Sequence, residues 1–291
     1  MSDQKNNFEK LKRKPGKTVL MQKRKGEVEY LSFPHLAETG LVDHLFTTRR
    51  GGVSQGIFAS MNVSYTRGDD KAAVDENYRR IAEVFDEVPG SIVCSDQTHT
   101  TNIRLVTKED RGKGVTRKKD YTDIDGLITN EPGVILATFY ADCVPLFFVD
   151  MENKAIGLSH SGWKGTVHKM GEATLKAMKE AFGTRPEKVK AAIGPSICQD
   201  CYEVSSDVAE QFEKTFKNHV GEILKSGSAE GKYQLDLWKA NEIILREAGI
   251  LPENLEVTDV CTCCNKDYLF SHRGSQGKRG NLGAFMELRK S

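Results

Sequence analysis

No stretch of this sequence is apolar over the ~18–20 residues that a helix needs to cross a bilayer, so a helical membrane protein is excluded. Charge of one sign is not in excess either. With 42 Lys and Arg against 41 Asp and Glu, the formal net charge is +1. No global field draws the chain to nucleic acid or to an anionic membrane. Proline is scarce, at 8 residues, and no Pro- or Ser-rich run reads as a linker. There is no internal repeat. A single domain over 17–291 is expected, with ample length for a buried core. The opening MSDQKNNFEKLKRKPGK has no apolar stretch of the secretory kind and reads, over residues 1–16, as a flexible polar tail. The 7 cysteines are odd in number and follow no export signal. A disulfide framework is therefore not expected, and a cytoplasmic location with reduced thiols is.

What is present is a dense mixture of strands and helices. Residues 17–33 alternate around a Lys-Gly-Glu turn and predict an antiparallel hairpin. Asp70 can cap a helix running to about Phe85. Short strands are expected at 90–94 and 102–106, with an exposed charged loop over 108–123 between them and Asp125. From there DGLIT, VILATFY, PLFFVD and KAIGLSH are four apolar runs separated by turn residues, the pattern of buried strands. One long amphipathic helix is expected over 166–182, a strand at KVKAAIG, helices at 206–216 and 235–248, and closing strands at LEVTDVCTC and in the LFSHRG…GNLGAFMEL region. The fold class predicted is α/β (α+β), a single domain.

Three polar turns each follow or end an apolar run and each carries one good zinc ligand: His99 in QTHTTN, Cys143 in ADCVP and His160 in GLSHSGWKG. Two imidazoles and a thiolate leave a fourth position open, as in catalytic zinc sites. If PLFFVD and KAIGLSH form a hairpin, the start of one strand lies beside the end of the other, and Cys143 adjoins His160. His99 is joined to them only through the topology of the sheet. Two other readings stand beside this one. Cys143 and the histidines could be ordinary core groups, or Cys143 could be a nucleophile whose pKa is lowered by His160.

The ordered blocks FTTRRGGVS…SMNVSYTRGDD, QTHTTNI, DGLIT, ADCVPLFFVD, HSGWKGTV, AIGPSI…CYEV, DLWKAN and CTCCNKDYLFSHRG resemble the YfiH/YlmD family of purine nucleoside phosphorylases, also known as laccase-domain or polyphenol-oxidase-like proteins. The resemblance covers about 46–288. It implies metal ligation by His99, Cys143 and His160. It implies a mixed β-sandwich-like core flanked by helices and related to cysteine hydrolases of the deamidating-toxin type. It implies phosphorolysis of adenosine, inosine, guanosine and methylthioadenosine, with adenosine deamination in the same pocket. Zinc is the expected metal, with copper as the alternative.

That chemistry needs a proton carrier, for which Asp125 and Asp142 stand close in sequence. It also needs cations for phosphate, and Arg49 and Arg273 are the candidates because guanidinium binds oxyanions bidentately. Asn62 is a candidate substrate contact. Lys164 stands where the family often has a basic residue, and Trp163 could wall a base pocket or pack in the core. The family's Arg-Arg-Asp-Gly run is replaced here by HRGSQGKRG, which keeps Arg273 but neither the second Arg nor the Asp. The remaining cysteines are read as structural. Cys198 and Cys201 form a CxxC that is read as unaccompanied by a second pair. Cys261, Cys263 and Cys264 end a predicted strand, with a soft-metal site shared with Cys201 as the alternative.

Three rival functions remain. They are a copper polyphenol oxidase, a cysteine amidase or hydrolase acting on peptides or cell-wall precursors, and a binding protein with a structural metal. A copper oxidase of the multicopper kind would need HxH or HCH clusters that the sequence lacks. The expected partners are small nucleosides and phosphate, with neither nucleic acid nor membrane, and the expected state is a monomer.

Overall fold

The computed structural model describes residues 8–290. Two six-stranded sheets pack face to face. The first runs β1 (Met21–Lys25), β2 (Val28–Ser32), β3 (Val42–Thr47), β15 (Leu282–Leu288), β7 (Ile135–Tyr140), β4 (Ile92–Cys94). The second runs β14 (Leu255–Val257), β10 (Val189–Ile193), β8 (Val144–Asp150), β9 (Ala155–Ser161), β6 (Gly126–Thr129), β5 (Ile103–Leu105). A small third sheet holds β11 (Glu203–Ser205), β13 (Lys232–Leu235) and β12 (Leu224–Ser226). Among the described residues no helix is long and apolar enough to cross a membrane.

The strands read as unbroken apolar runs because both of their faces are covered. In β8, Val144, Leu146 and Phe148 point to an outer core shared with the helices Met170–Phe182 and Leu237–Glu247. Phe147 and Val149 point the other way, to an inner core shared with Leu136, Leu282 and Met286 of the first sheet. Ile135, Ala137 and Phe285 then face the helix Lys71–Val84 on the far side. The result is four layers, helix–sheet–sheet–helix. Burial of this alternating apolar surface is the main stabilising term. The Lys71–Val84 helix starts where expected: Asp70 accepts from the backbone N–H groups of Ala72 and Ala73 at its N-terminus.

Several expectations are corrected. The tail does not extend to residue 16. Leu11 is buried in the inner core, Lys12 donates its backbone N–H to Asn265 Oδ1, and Arg13 pairs with Asp259. The part of the expected tail over 1–7 lies outside the described residues. The long helix is broken: Trp163–Val167 ends at His168, Lys169 adopts a left-handed φ of 58°, and a second helix starts at Met170. The break lets Gly171 pack where a Cβ would stand 2.7 Å from Leu245 Cδ2. The loop over 108–123 is not wholly exposed, since Asp110 and Lys113 are buried as an ion pair. LFSHRG forms turns, not a strand.

Glu287 is a cost carried by β15. It pairs in register with Asp43, and its Oε2 is buried without a hydrogen-bond partner. Burial, then the charges of Glu87 and Asp43, push its carboxyl up to about 7. The unfolded chain releases this proton near the ordinary value of 4.5, whereas the folded chain holds it. Stability is therefore lost as pH rises between those values. Glu287→Gln is expected to raise the melting temperature at pH 8 by roughly 2–4 °C, from ~1 kcal/mol of relieved desolvation, and to leave it unchanged at pH 4. Calorimetry at the two pH values checks it.

Candidate active site

The β8–β9 ladder pairs Pro145 with His160 and Val144 with Ser161. Cys143 immediately precedes that ladder, so the hairpin brings it beside His160. His99 arrives from the turn after β4, in the other sheet, with a left-handed φ of 68°. The donor atoms of His99, Cys143 and His160 all lie within 4.8 Å of one another. Cys143 Sγ is 4.0 Å from His99 Nε2, and the two imidazole rings meet edge to face at 5.0 Å.

Asp125, at the foot of β6, holds this arrangement together. Its Oδ1 accepts from His99 N at 3.1 Å and from His160 Nδ1 at 2.7 Å. Its Oδ2 accepts from Thr98 N, Thr100 N and the Thr100 hydroxyl at 2.9–3.0 Å. A carboxylate can only accept here, so His160 carries its proton on Nδ1 and leaves Nε2 free as a ligand. Burial would raise the Asp125 carboxyl, but the hydrogen bonds from His160 and the 98–100 backbone hold it below its ordinary value. A histidine oriented by a carboxylate is the usual support of a metal ligand.

Glycine at 162 is required by crowding. A Cβ there would stand 2.8 Å from His99 Cδ2 and 3.1 Å from Cys143 Sγ. Gly162→Ala is expected to push these two side chains apart and lower the affinity for added zinc by at least about 10-fold, as loss of ligand orientation does. Competition against a chromophoric chelator measures it, and circular dichroism should remain native.

Burial opposes ionisation of Cys143, yet the charges and hydrogen bonds of His160 and His99 outweigh it and bring the thiol to about 6. Burial likewise opposes protonation of His160, and Cys143 and Asp125 overcome it, raising the imidazole to about 9. Each of the two groups thus favours the charged form of the other. Two imidazole nitrogens and one thiolate at these spacings suit zinc, and the donor set fits the metal that the sequence anticipated.

The three side chains open into a cavity of about 420 Å³, within the ~300–1,000 Å³ usual for small-molecule sites. Tyr65, Phe139 and Tyr140 give it aromatic surface, and Arg67, Lys119 and Arg279 line it with positive charge. Lys119 is paired with Asp96. Arg67 and Arg279 have no carboxylate partner among the described residues, and Arg279 Nε is buried without a hydrogen-bond acceptor. Burial, then the neighbouring charge of Arg67, lowers the Arg279 guanidinium to about 10.

The expected substrate-binding residues lie elsewhere. Arg49 donates to Ala59 O and Lys266 O and stacks on Phe270, clamping two turns. Arg273 donates to Cys201 O and Glu203 O and lies over Tyr202. Lys164 is exposed beside the Trp163 ring, and neither residue lines the cavity. Asn62 is fully buried behind the wall, where its Oδ1 accepts from Ser64 N and Asn281 N. Asp142 is buried too: Oδ1 accepts from the Thr262 hydroxyl at 2.6 Å and Oδ2 from Arg273 N at 2.7 Å. Sequence reasoning missed Arg67 and Arg279. Arg279 lies in the same C-terminal run as Arg273, and only the turn between them decides which faces the cavity.

Comparison with known proteins gives the family. The family described as multi-copper polyphenol oxidoreductase laccase matches residues 43–289. The chain is 38% identical over 249 residues to purine nucleoside phosphorylase YlmD of Bacillus subtilis, covering 84% of this chain and 88% of that one. It is 31% identical over 249 residues to adenosine deaminase RL5 of an unknown prokaryotic organism, covering 85% and 93%. The crystal structure of YlmD from Geobacillus stearothermophilus superposes with a TM-score of 0.83 at 33% identity, covering 94% of this chain and 100% of that one. On the strength of motifs, fold and these matches, the chain belongs to the YfiH/YlmD family of laccase-domain enzymes.

Proposed function

We propose that this protein is a zinc-dependent purine nucleoside phosphorylase, acting on adenosine, inosine, guanosine and methylthioadenosine, with adenosine deaminase activity in the same cavity. One observation carries the reading: a His-Cys-His ligand set and two arginines without carboxylate partners line a single cavity. When bound, zinc supplies Lewis-acid chemistry, polarising an oxygen of phosphate or water. Arg67 and Arg279 hold the phosphate dianion, whose charge replaces the missing carboxylates. In phosphorolysis a phosphate oxygen bonds to C1′ of the ribose as the bond from C1′ to the purine breaks, and the electron pair leaves with the base. Tyr65, Phe139 and Tyr140 offer the base an aromatic wall. Asp125 and Asp142 act through the residues they hold, His160, His99 and the turn before Cys143, with every carboxylate oxygen already engaged.

The test is hypoxanthine release from inosine by zinc-loaded protein, with and without phosphate. Phosphate-dependent release that disappears in Cys143→Ala is expected. No turnover of inosine or adenosine by folded, metal-loaded protein would refute the reading.

A second reading has its own observation. Cys143, His160 and Asp125 stand in the order nucleophile, base, orienting carboxylate, which suits a cysteine hydrolase. In metal-free protein, alkylation of Cys143 by iodoacetamide is expected to be half-maximal near pH 6, falling as pH drops further. Full protection by stoichiometric zinc favours the ligand role. Amide hydrolysis that survives a chelator favours the nucleophile.

A further inference from the structure

Four cysteines lie together away from the cavity. Cys198 and Cys201 form one CxxC. Cys261, Thr262, Cys263 and Cys264 contain a second, which is easily overlooked because Cys263 interrupts it. The reading that no second pair accompanies Cys198 and Cys201 is thereby corrected. We propose that Cys198, Cys201, Cys261 and Cys264 form a second metal site, a tetrathiolate for zinc or a similarly thiophilic divalent cation, which braces the wall behind Asp142. The proposal does not depend on the nucleoside reading of the cavity.

The geometry carries it. All four Sγ atoms lie within 4.8 Å of one another, with Cys201 and Cys264 3.5 Å apart. Tetrahedral zinc with bonds of ~2.3 Å requires sulfur–sulfur edges of roughly 3.8 Å, so small rotations close the set. Two CxxC turns facing each other are the usual supply of four such thiolates. The backbone is arranged to match. The N–H groups of Cys198 and Cys264 both donate to Cys261 Sγ, at 3.3 and 3.4 Å. The turns are joined by a backbone bridge between Ser196 and Cys261, with Thr262 N donating to Ser196 O at 3.1 Å. Amide donors aimed at sulfur favour the thiolate. Lys14, paired with Asp200 at 2.7 Å, also lies against Cys198. The nearby Cys263 falls outside the set.

The site connects to the cavity through short links. Thr262, inside the second CxxC, donates to Asp142, and Ile197, beside Cys198, donates its N–H to the Asp142 carbonyl at 3.0 Å. Asp142 precedes Cys143. A metal here is positioning machinery for the turn that carries a ligand of the first site.

The test begins with the full chain purified without chelator. Elemental analysis is expected to give two zinc equivalents. The double variant His99→Ala, Cys143→Ala should keep one. After cobalt exchange that variant should show the intense near-ultraviolet sulfur-to-metal absorption and red-shifted ligand-field bands of a tetrathiolate. Adding Cys201→Ser and Cys264→Ser should abolish both. If those substitutions prevent folding, the double variant alone decides. No metal retained in it, with the four thiols freely alkylated or with Cys201 and Cys264 recovered as a disulfide peptide, overturns the proposal.

Discussion

Asp125→Asn is expected to weaken zinc binding by about 10–100-fold, the range found when the group orienting a metal-bound histidine is changed, and to reduce nucleoside turnover at least in proportion. The reason lies in its five hydrogen bonds. Every partner of the Asp125 carboxylate is a donor: three backbone N–H groups, the Thr100 hydroxyl and His160 Nδ1. An asparagine amide must present its own N–H groups to one half of that ring, whichever way it turns. The 98–100 turn then loosens with His99 upon it, and His160 loses the acceptor that fixes its tautomer. Isothermal titration with zinc and steady-state kinetics on inosine measure the two effects. Unchanged zinc affinity would show that the histidines are held by packing alone.

Arg279→Met is expected to raise the KM for phosphate by about 10–100-fold, from the ~1.5–3 kcal/mol lost with a charge-assisted hydrogen bond. Phosphate-dependent cleavage of inosine should suffer more than phosphate-independent deamination of adenosine. The substitution preserves much of the side chain's length and removes a half-buried charge that burial and Arg67 already disfavour. Thermal stability should therefore hold or rise. An unchanged phosphate KM would move anion binding away from this guanidinium and towards Lys119 or Arg67.

The contrast between Arg279 and Arg273 shows where sequence reasoning ended. Cys143 and His160 could be joined on paper because a hairpin has one register that keeps both apolar faces buried, and the structure has that register. His99 could be suggested only from its motif, since it enters from the other sheet. Strands and capped helices were legible where periodicity and capping agreed, as at Asp70. The helix break at Lys169 was not, because the residue in the left-handed conformation is a lysine, and the reason for Gly171 beside it, close packing on Leu245, lies in a distant helix. Nor were the cavity arginines. A guanidinium's role depends on which carbonyls its donors can reach, and Arg49 and Arg273 are occupied by carbonyls from remote turns. The second CxxC was written in the sequence throughout, but only the fold brings it to the first.

One feature of the architecture reaches beyond any single side chain. The strand before Cys143 belongs to one sheet and the strand after it to the other. His160 belongs to the second sheet and Asp125 immediately precedes one of its strands, while His99 lies on the crossing from β4 of the first sheet to β5 of the second and Arg279 leads into β15 of the first. Neither half of the sandwich owns a working centre, so chemistry can appear only after the halves have closed on each other. A nascent or partly melted chain is silent by construction, and turnover is in effect a census of fully assembled molecules.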